Sequence, residues 1–192
     1  MFGNYEKEEV MILKEPTSWW DWHKIKKLYM KAFPLNERKP FYLIKQKAAG
    51  SESDVWMLDQ GGEFMGLAIT MNADDLVLLD YFAIHENKRG GGYGSKVLKK
   101  LREYYDGKRF FLEIESVYEE AEDIEIRKRR KNFYLRNGLI EIGIIAKLFG
   151  VNMELLGFGC RVSFEEYRGL YRRIYGTWAE KNVVELKTES GE

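Results

Sequence analysis

The chain has 192 residues, 45% of them hydrophobic, with 31 Lys+Arg against 31 Asp+Glu and a formal net charge of +0. That length suits one domain with a sizeable core, and the balanced charge leaves no global field to hold nucleic acid or an acidic membrane. A single cysteine, Cys160, excludes an internal disulfide framework and fits a reducing compartment.

In chain order, "EVMILKE" predicts a first strand. Pro16, Thr17 and Ser18 introduce a helix in which Ser18 is the expected N-cap and Asp21 closes a capping box. Trp22, Ile25, Leu28, Tyr29 and Ala32 recur at helical spacing and form its buried face. Trp19 and Trp20 join Trp22 as core and rim of this helix, or line an acceptor pocket. Pro34 ends the helix, and "NERKPFYLIKQKAA" predicts a second, shorter one. "DVWMLDQ", the turn Gly61-Gly62 and "EFMGLAITM" read as a hairpin. "LVLLDYFAI", Leu76 to Ile84, is nearly continuous apolar sequence and suits a central strand buried on both faces.

Next come four glycines in five positions, Gly90 to Gly94. Glycine loses more freedom on folding than any other residue, so something must need the backbone bare there. Val97, Leu98, Leu101 and Tyr105 then lie on one side of a helix whose other side carries Lys96, Lys99, Lys100 and Glu103. "RFFLEIE" is the next strand, with Phe110, Leu112 and Ile114 on one face and Phe111, Glu113 and Glu115 on the other. A charged helix from about Asp123 to Arg136 closes at Asn137-Gly138. Its run "RKRRK" reads as a solvated helix face. "LIEIGIIAKLF" and "VNMELLGF" follow as strands around Gly150. Ser163 and Glu166 form a second capping box for a last helix, with Phe164, Tyr167, Leu170, Tyr171 and Ile174 on its apolar face. Residues 1–180 read as one domain, and 181–192 as a polar, frayed tail.

Strand, glycine loop, helix and strand make a crossover unit. A loop entering a helix presents unpaired backbone N–H groups and the positive end of the helix dipole, so it is an anion site. A glycine-rich turn that needs only unusual dihedrals is the alternative. The P-loop pattern does not fit, and Ser95 and Val97 stand where the dinucleotide fingerprint wants its third glycine. What fits is Arg-x-x-Gly-x-Gly, here Arg89-Gly90-Gly91-Gly92-Tyr93-Gly94. About forty residues on comes "RRKNFYLRNGL", Arg129 to Leu139.

Together these segments resemble the GNAT superfamily of N-acetyltransferases, with Leu139 in place of the usual final Phe. The resemblance implies a mixed α/β (α+β) fold: a central, mostly antiparallel sheet with a parallel strand pair around the coenzyme loop, flanked by helices. It implies acetyl-CoA as co-substrate and acetyl transfer to a primary amine by direct attack in a ternary complex. Phe82, Ala83 and Ile84 would pair their backbone with the pantetheine arm, and the segment from Arg89 through Ser95 would hold the pyrophosphate. Tyr134 falls near the thioester sulfur, where it would protonate the leaving thiolate; a core aromatic is the alternative. The family's usual Asn and Ala are here Arg127 and Arg130, and Asn132 is the candidate replacement for the pantetheine contact.

An alkylamine is protonated at neutral pH, and removing its proton costs roughly 4.6 kcal/mol, so a base is required. Glu115 ranks first, Asp80 second and Glu113 third; for the two glutamates the alternative is a solvated strand face, for Asp80 a buried, satisfied carboxylate. His85 reads as a loop histidine. With only His23, His85 and Cys160 as soft ligands, no metal is expected. The opening "MFGNYEKEEV" has no apolar secretion segment, and no run reaches membrane-spanning length. The expectation is a soluble, cytoplasmic enzyme acting on a small-molecule or peptide amine, without nucleic acid or membrane as partner. A coenzyme-binding sensor with the same fold and little turnover is the other reading.

Overall fold

A computed structural model describes residues 10–35 and 37–186. The opening residues 1–9 and the last six of the expected tail, 187–192, lie outside that range. The elements run β1 (Met11–Lys14), α1 (Trp19–Ala32), α2 (Phe41–Ala49), β2 (Val55–Gln60), β3 (Glu63–Ala73), β4 (Leu76–Ile84), α3 (Tyr93–Tyr104), β5 (Arg109–Glu115), α4 (Ile124–Arg136), β6 (Ile140–Leu148), β7 (Val151–Gly157), α5 (Phe164–Tyr175), α6 (Thr177–Lys181) and β8 (Val183–Leu186). One eight-stranded sheet has the order β1-β2-β3-β4-β5-β7-β6-β8. Among the described residues only β4 and β5 pair in parallel; the other pairs are antiparallel.

Local chemistry accounts for the helix starts. Ser18 and Asp21 make the expected capping box at α1, and Ser163 and Glu166 make one at α5. Each box satisfies two N–H groups that the helix itself leaves without acceptors.

Both sheet faces are covered. On one, α3 and α4 pack Val97, Leu98, Leu101 and Tyr134 onto Val77, Leu79, Phe110, Leu112 and Ile114. On the other, α1 sets Ile25, Leu28 and Tyr29 against Leu67, Ile69 and Tyr81. There α5 sets Tyr167, Leu170, Tyr171 and Ile174 against Leu76, Leu78 and Phe111. β4 therefore sits mid-sheet between two layers, as its apolar run requires.

Two expectations are corrected. The chain after Glu180 is not frayed as far as residue 186: α6 leads into β8, which pairs with β6 from Ile145↔Leu186 to Leu148↔Val183. Val183 is buried there. The "RKRRK" run is a solvated face only in part: Lys128 and Arg129 are exposed, but Lys131 is buried against Glu154 at 2.6 Å and Arg127 and Arg130 both turn to Glu115. The first three tryptophans stand as core and rim of α1: Trp22 packs against the core, while Trp19 and Trp20 are exposed, Trp19 stacked on His23 and Trp20 edge-on to it.

Candidate active site

The site follows from where two strands part. β4 and β5 pair from Leu76↔Arg109 to Leu79↔Leu112 and no further. Beyond that point β4 continues against β3 to Ile84, and β5 continues against β7 to Glu115. A bulge drives them apart. Ile69 pairs with Tyr81 and Thr70 with Leu79, so Asp80 is an extra residue on β4. One extra residue bends a strand and re-aims its side chain. The Tyr81–Ile84 edge that faced β5 therefore opens onto a cleft of about 1610 Å³.

The glycine loop stands at one end of this cleft. A 3-10 turn at Glu86–Lys88 leads into it. Gly92 caps α3 with φ +74°, the left-handed region that glycine adopts without strain. No side chain caps α3, and the first backbone bond into it runs from Lys96 N to the Gly92 carbonyl at 3.2 Å. The amides ahead of Lys96 thus lack intrahelical acceptors and face an open approach, an arrangement that fits a pyrophosphate. Gly94 has another reason to be glycine: a Cβ there would lie 2.9 Å from the Phe133 ring on α4. The Arg89 side chain folds back, donating from Nε to the Ile84 carbonyl at 3.2 Å.

Tyr134, on α4, lines the cleft and is 8% exposed. Among the described residues its hydroxyl has no hydrogen-bond partner, although Phe133 packs edge-on to its ring. Burial pushes its pKa up to about 12, with Arg130 opposing the rise, so the phenol keeps its proton at neutral pH. Asn132 is one residue from the inward face and is exposed, outside the cleft lining.

The carboxylates separate into two groups. Glu115 is 8% exposed and clamped: Arg130 donates to its Oε2 at 2.5 Å and Arg127 lies 3.2 Å from its Oε1. Glu113 and Asp80 sit instead on the α5 side. Tyr167 and Tyr171 donate to Glu113 at 2.5 and 2.7 Å. Burial raises the Glu113 pKa; Lys39 pulls it back and Asp80 adds to the rise. The Asp80 side chain is 3% exposed and pairs with Lys39 Nζ at 2.5 Å, while its Oδ2 is buried without a partner. Glu37 also lines the cleft, its pKa raised by burial and by Glu115, with Arg130 and Arg127 opposing.

Lys39 and the tyrosines of α5 were not legible as site residues. Tyr167 and Tyr171 fit the apolar stripe of a helix, and nothing local to Lys39 marks it. Their meeting depends on how α5 and the α1–α2 connection pack over the bulge. Among the described residues no three His, Cys, Asp or Glu side chains group to hold a metal ion, and no helix is long and apolar enough to cross a membrane.

The same architecture recurs in solved structures. A protein assigned to the GNAT family from Bacteroides thetaiotaomicron superposes with a TM-score of 0.71 at 20% identity, over 87% of this chain and 98% of that one. An aminoglycoside 6'-N-acetyltransferase complexed with coenzyme A gives 0.64 at 10% identity, over 80% and 99%. The ribosomal-protein-S18-alanine N-acetyltransferase from Escherichia coli gives 0.60 at 15%, over 80% and 96%. At these identities the likeness is one of fold. No curated protein matches the chain. The model of the acetyltransferase (GNAT) family matches residues 22–136, more than half of the chain, including the glycine loop and the second segment as far as Arg136, and the chain belongs to that family.

Proposed function

We propose that this protein transfers an acetyl group from acetyl-CoA to a primary amine by direct attack within a ternary complex. The observation that carries the reading is the parting of β4 and β5 at Leu79/Leu112. It brings open helix amides and buried carboxylates onto a single cleft. Acetyl-CoA supplies the thioester. The amides from Gly90 to Ser95 are suited to its pyrophosphate, and the free Phe82–Ile84 edge to its pantetheine amides. Tyr134 holds a proton for the departing thiolate.

The base is reassigned within this proposal. Glu115 is committed to an ion-pair clamp, with a guanidinium group at each of its oxygens. Glu113 takes its place, because its oxygens are held by neutral tyrosine hydroxyls rather than by cations and burial raises its pKa, in the direction that makes a carboxylate a better base near neutral pH. Asp80, at the bulge, holds the amine as its ammonium before transfer. A cytoplasmic site of action belongs to the same proposal, supported by the one free cysteine.

One observation favours a second reading, coenzyme binding with little turnover: the double arginine clamp where relatives of this pattern carry Asn and Ala. The deciding experiment is release of free thiol from acetyl-CoA across a panel of alkylamines, amino sugars and peptide N-termini. Acceptor-dependent release supports transfer. Tight acetyl-CoA binding with no release for any amine would establish the sensor reading instead.

A further inference from the structure

Lys39 lies in the short connection between α1 and α2, bounded by Pro34 and Pro40. Its backbone is pinned: Tyr29 OH donates to its carbonyl at 3.0 Å, and its N–H donates to Tyr81 OH at 3.0 Å. Its side chain runs into the cleft, where Nζ meets Asp80 Oδ1 at 2.5 Å. Three tyrosine rings surround the same ammonium, with centroids 5.2 Å away for Tyr81 and 5.3 Å for both Tyr171 and Tyr175. One carboxylate oxygen and three ring faces are how proteins seat an alkylammonium ion. The seat is not used to capacity, because Asp80 Oδ2 is buried and unpaired. A buried carboxylate oxygen without a donor costs free energy, so a ligand bringing more N–H groups than Lys39 delivers would be favoured there.

We infer that Lys39 occupies the acceptor's own seat: its side chain is an internal plug that an alkylammonium acceptor displaces, and the enzyme selects acceptors carrying that cation. The term acceptor rests on the transfer reading above; the seat does not. Displacement needs only side-chain rotation, since the lysine stem has four rotatable bonds while the backbone stays held by Tyr29 and Tyr81. It also needs a cation to arrive. Lys39 leaving alone would abandon Asp80 beside Glu113 in a poorly solvated site, and two uncompensated buried carboxylates repel. A neutral molecule of the same shape cannot take the seat.

The probe is n-butylammonium, a free copy of the lysine head and stem, used without acetyl-CoA. In the wild-type protein the Lys39 Cε protons lie among three rings and carry ring-current shifts in the NMR spectrum. Titrating n-butylammonium should return that resonance toward the value of a solvated lysine, in step with saturation, while n-butanol has no effect. Binding that leaves the Lys39 resonance in place, or no binding, overturns the inference. The second arm is calorimetry on Lys39→Met, which keeps the stem and removes the charge. If Lys39 fills its seat about nine-tenths of the time, the variant should bind n-butylammonium about tenfold more tightly, and Lys39→Met/Asp80→Asn should lose the gain. Unchanged affinity in folded Lys39→Met sinks the plug. Should that variant not fold, the wild-type titration still decides. Neither arm needs turnover, so a protein that seats n-butylammonium yet releases no thiol would refute acetyl transfer and leave the seat standing.

Discussion

Replacing Tyr134 with Phe separates chemistry from packing. The ring stays among Val97, Leu98, Ile114 and its other buried neighbours, so no cavity forms. The hydroxyl has no partner among the described residues, so no donor or acceptor is orphaned by its removal. Stability should therefore change by less than about 0.5 kcal/mol. If the hydroxyl protonates the thiolate, kcat should fall about 10²–10⁴-fold, a barrier increase of roughly 2.7–5.4 kcal/mol. The affinity for acetyl-CoA should hold, because it rests on backbone amides and the Tyr134 hydroxyl bonds to none of them. Thiol release gives kcat, calorimetry gives coenzyme affinity, and a thermal melt gives stability. Near-normal kcat with chemistry shown to be rate-limiting would refute the proton-donor role. A large fall in melting temperature would show that the hydroxyl is structural.

Gly92→Val should weaken acetyl-CoA binding by at least about tenfold, since φ +74° is strained for a branched residue and its side chain would stand over the loop amides; calorimetry on the folded variant checks this. Glu113→Gln should abolish the acid limb of the kcat/KM profile, because only the ionised carboxylate accepts a proton; a variant profile that overlays wild type removes Glu113 as base. The same substitution tests linkage. The native Glu113 pKa is raised, so its contribution to stability is complete below the unfolded value of about 4.3 and is lost as pH rises through the native value. Wild type should thus lose stability relative to Glu113→Gln across that window, read by denaturant titration at a series of pH values. Glu115→Gln should cost about 1–3 kcal/mol by removing the charge partner of Arg130, while Arg127 keeps Asp123 and Glu119, with thiol release per folded molecule little changed. A large loss of rate at full stability would restore Glu115 as the base.

Short-range chemistry in the sequence determined much of this protein. The capping boxes at Ser18 and Ser163 need residues only three apart, so their helix starts were legible. The apolar run Leu76–Ile84 demanded two covering layers, and the glycines from Gly90 to Gly94 demanded a bare helix entrance; both demands are local. Tertiary structure decided the rest. The bulge at Asp80 depends on register with β3, which no property of β4 alone sets. Glu113 and Glu115 share a strand face, and the sequence ranked Glu115 ahead as base. They differ because α4 brings two arginines to one and α5 brings two tyrosine hydroxyls to the other. The polar stretch after Glu180 carries too little apolar sequence to announce a strand, yet β6 offers an open edge, and backbone pairing with it needs no particular side chains. Lys39 met Asp80 from 41 residues away, because an ion pair across a cleft is written in the packing of the elements that bring it together.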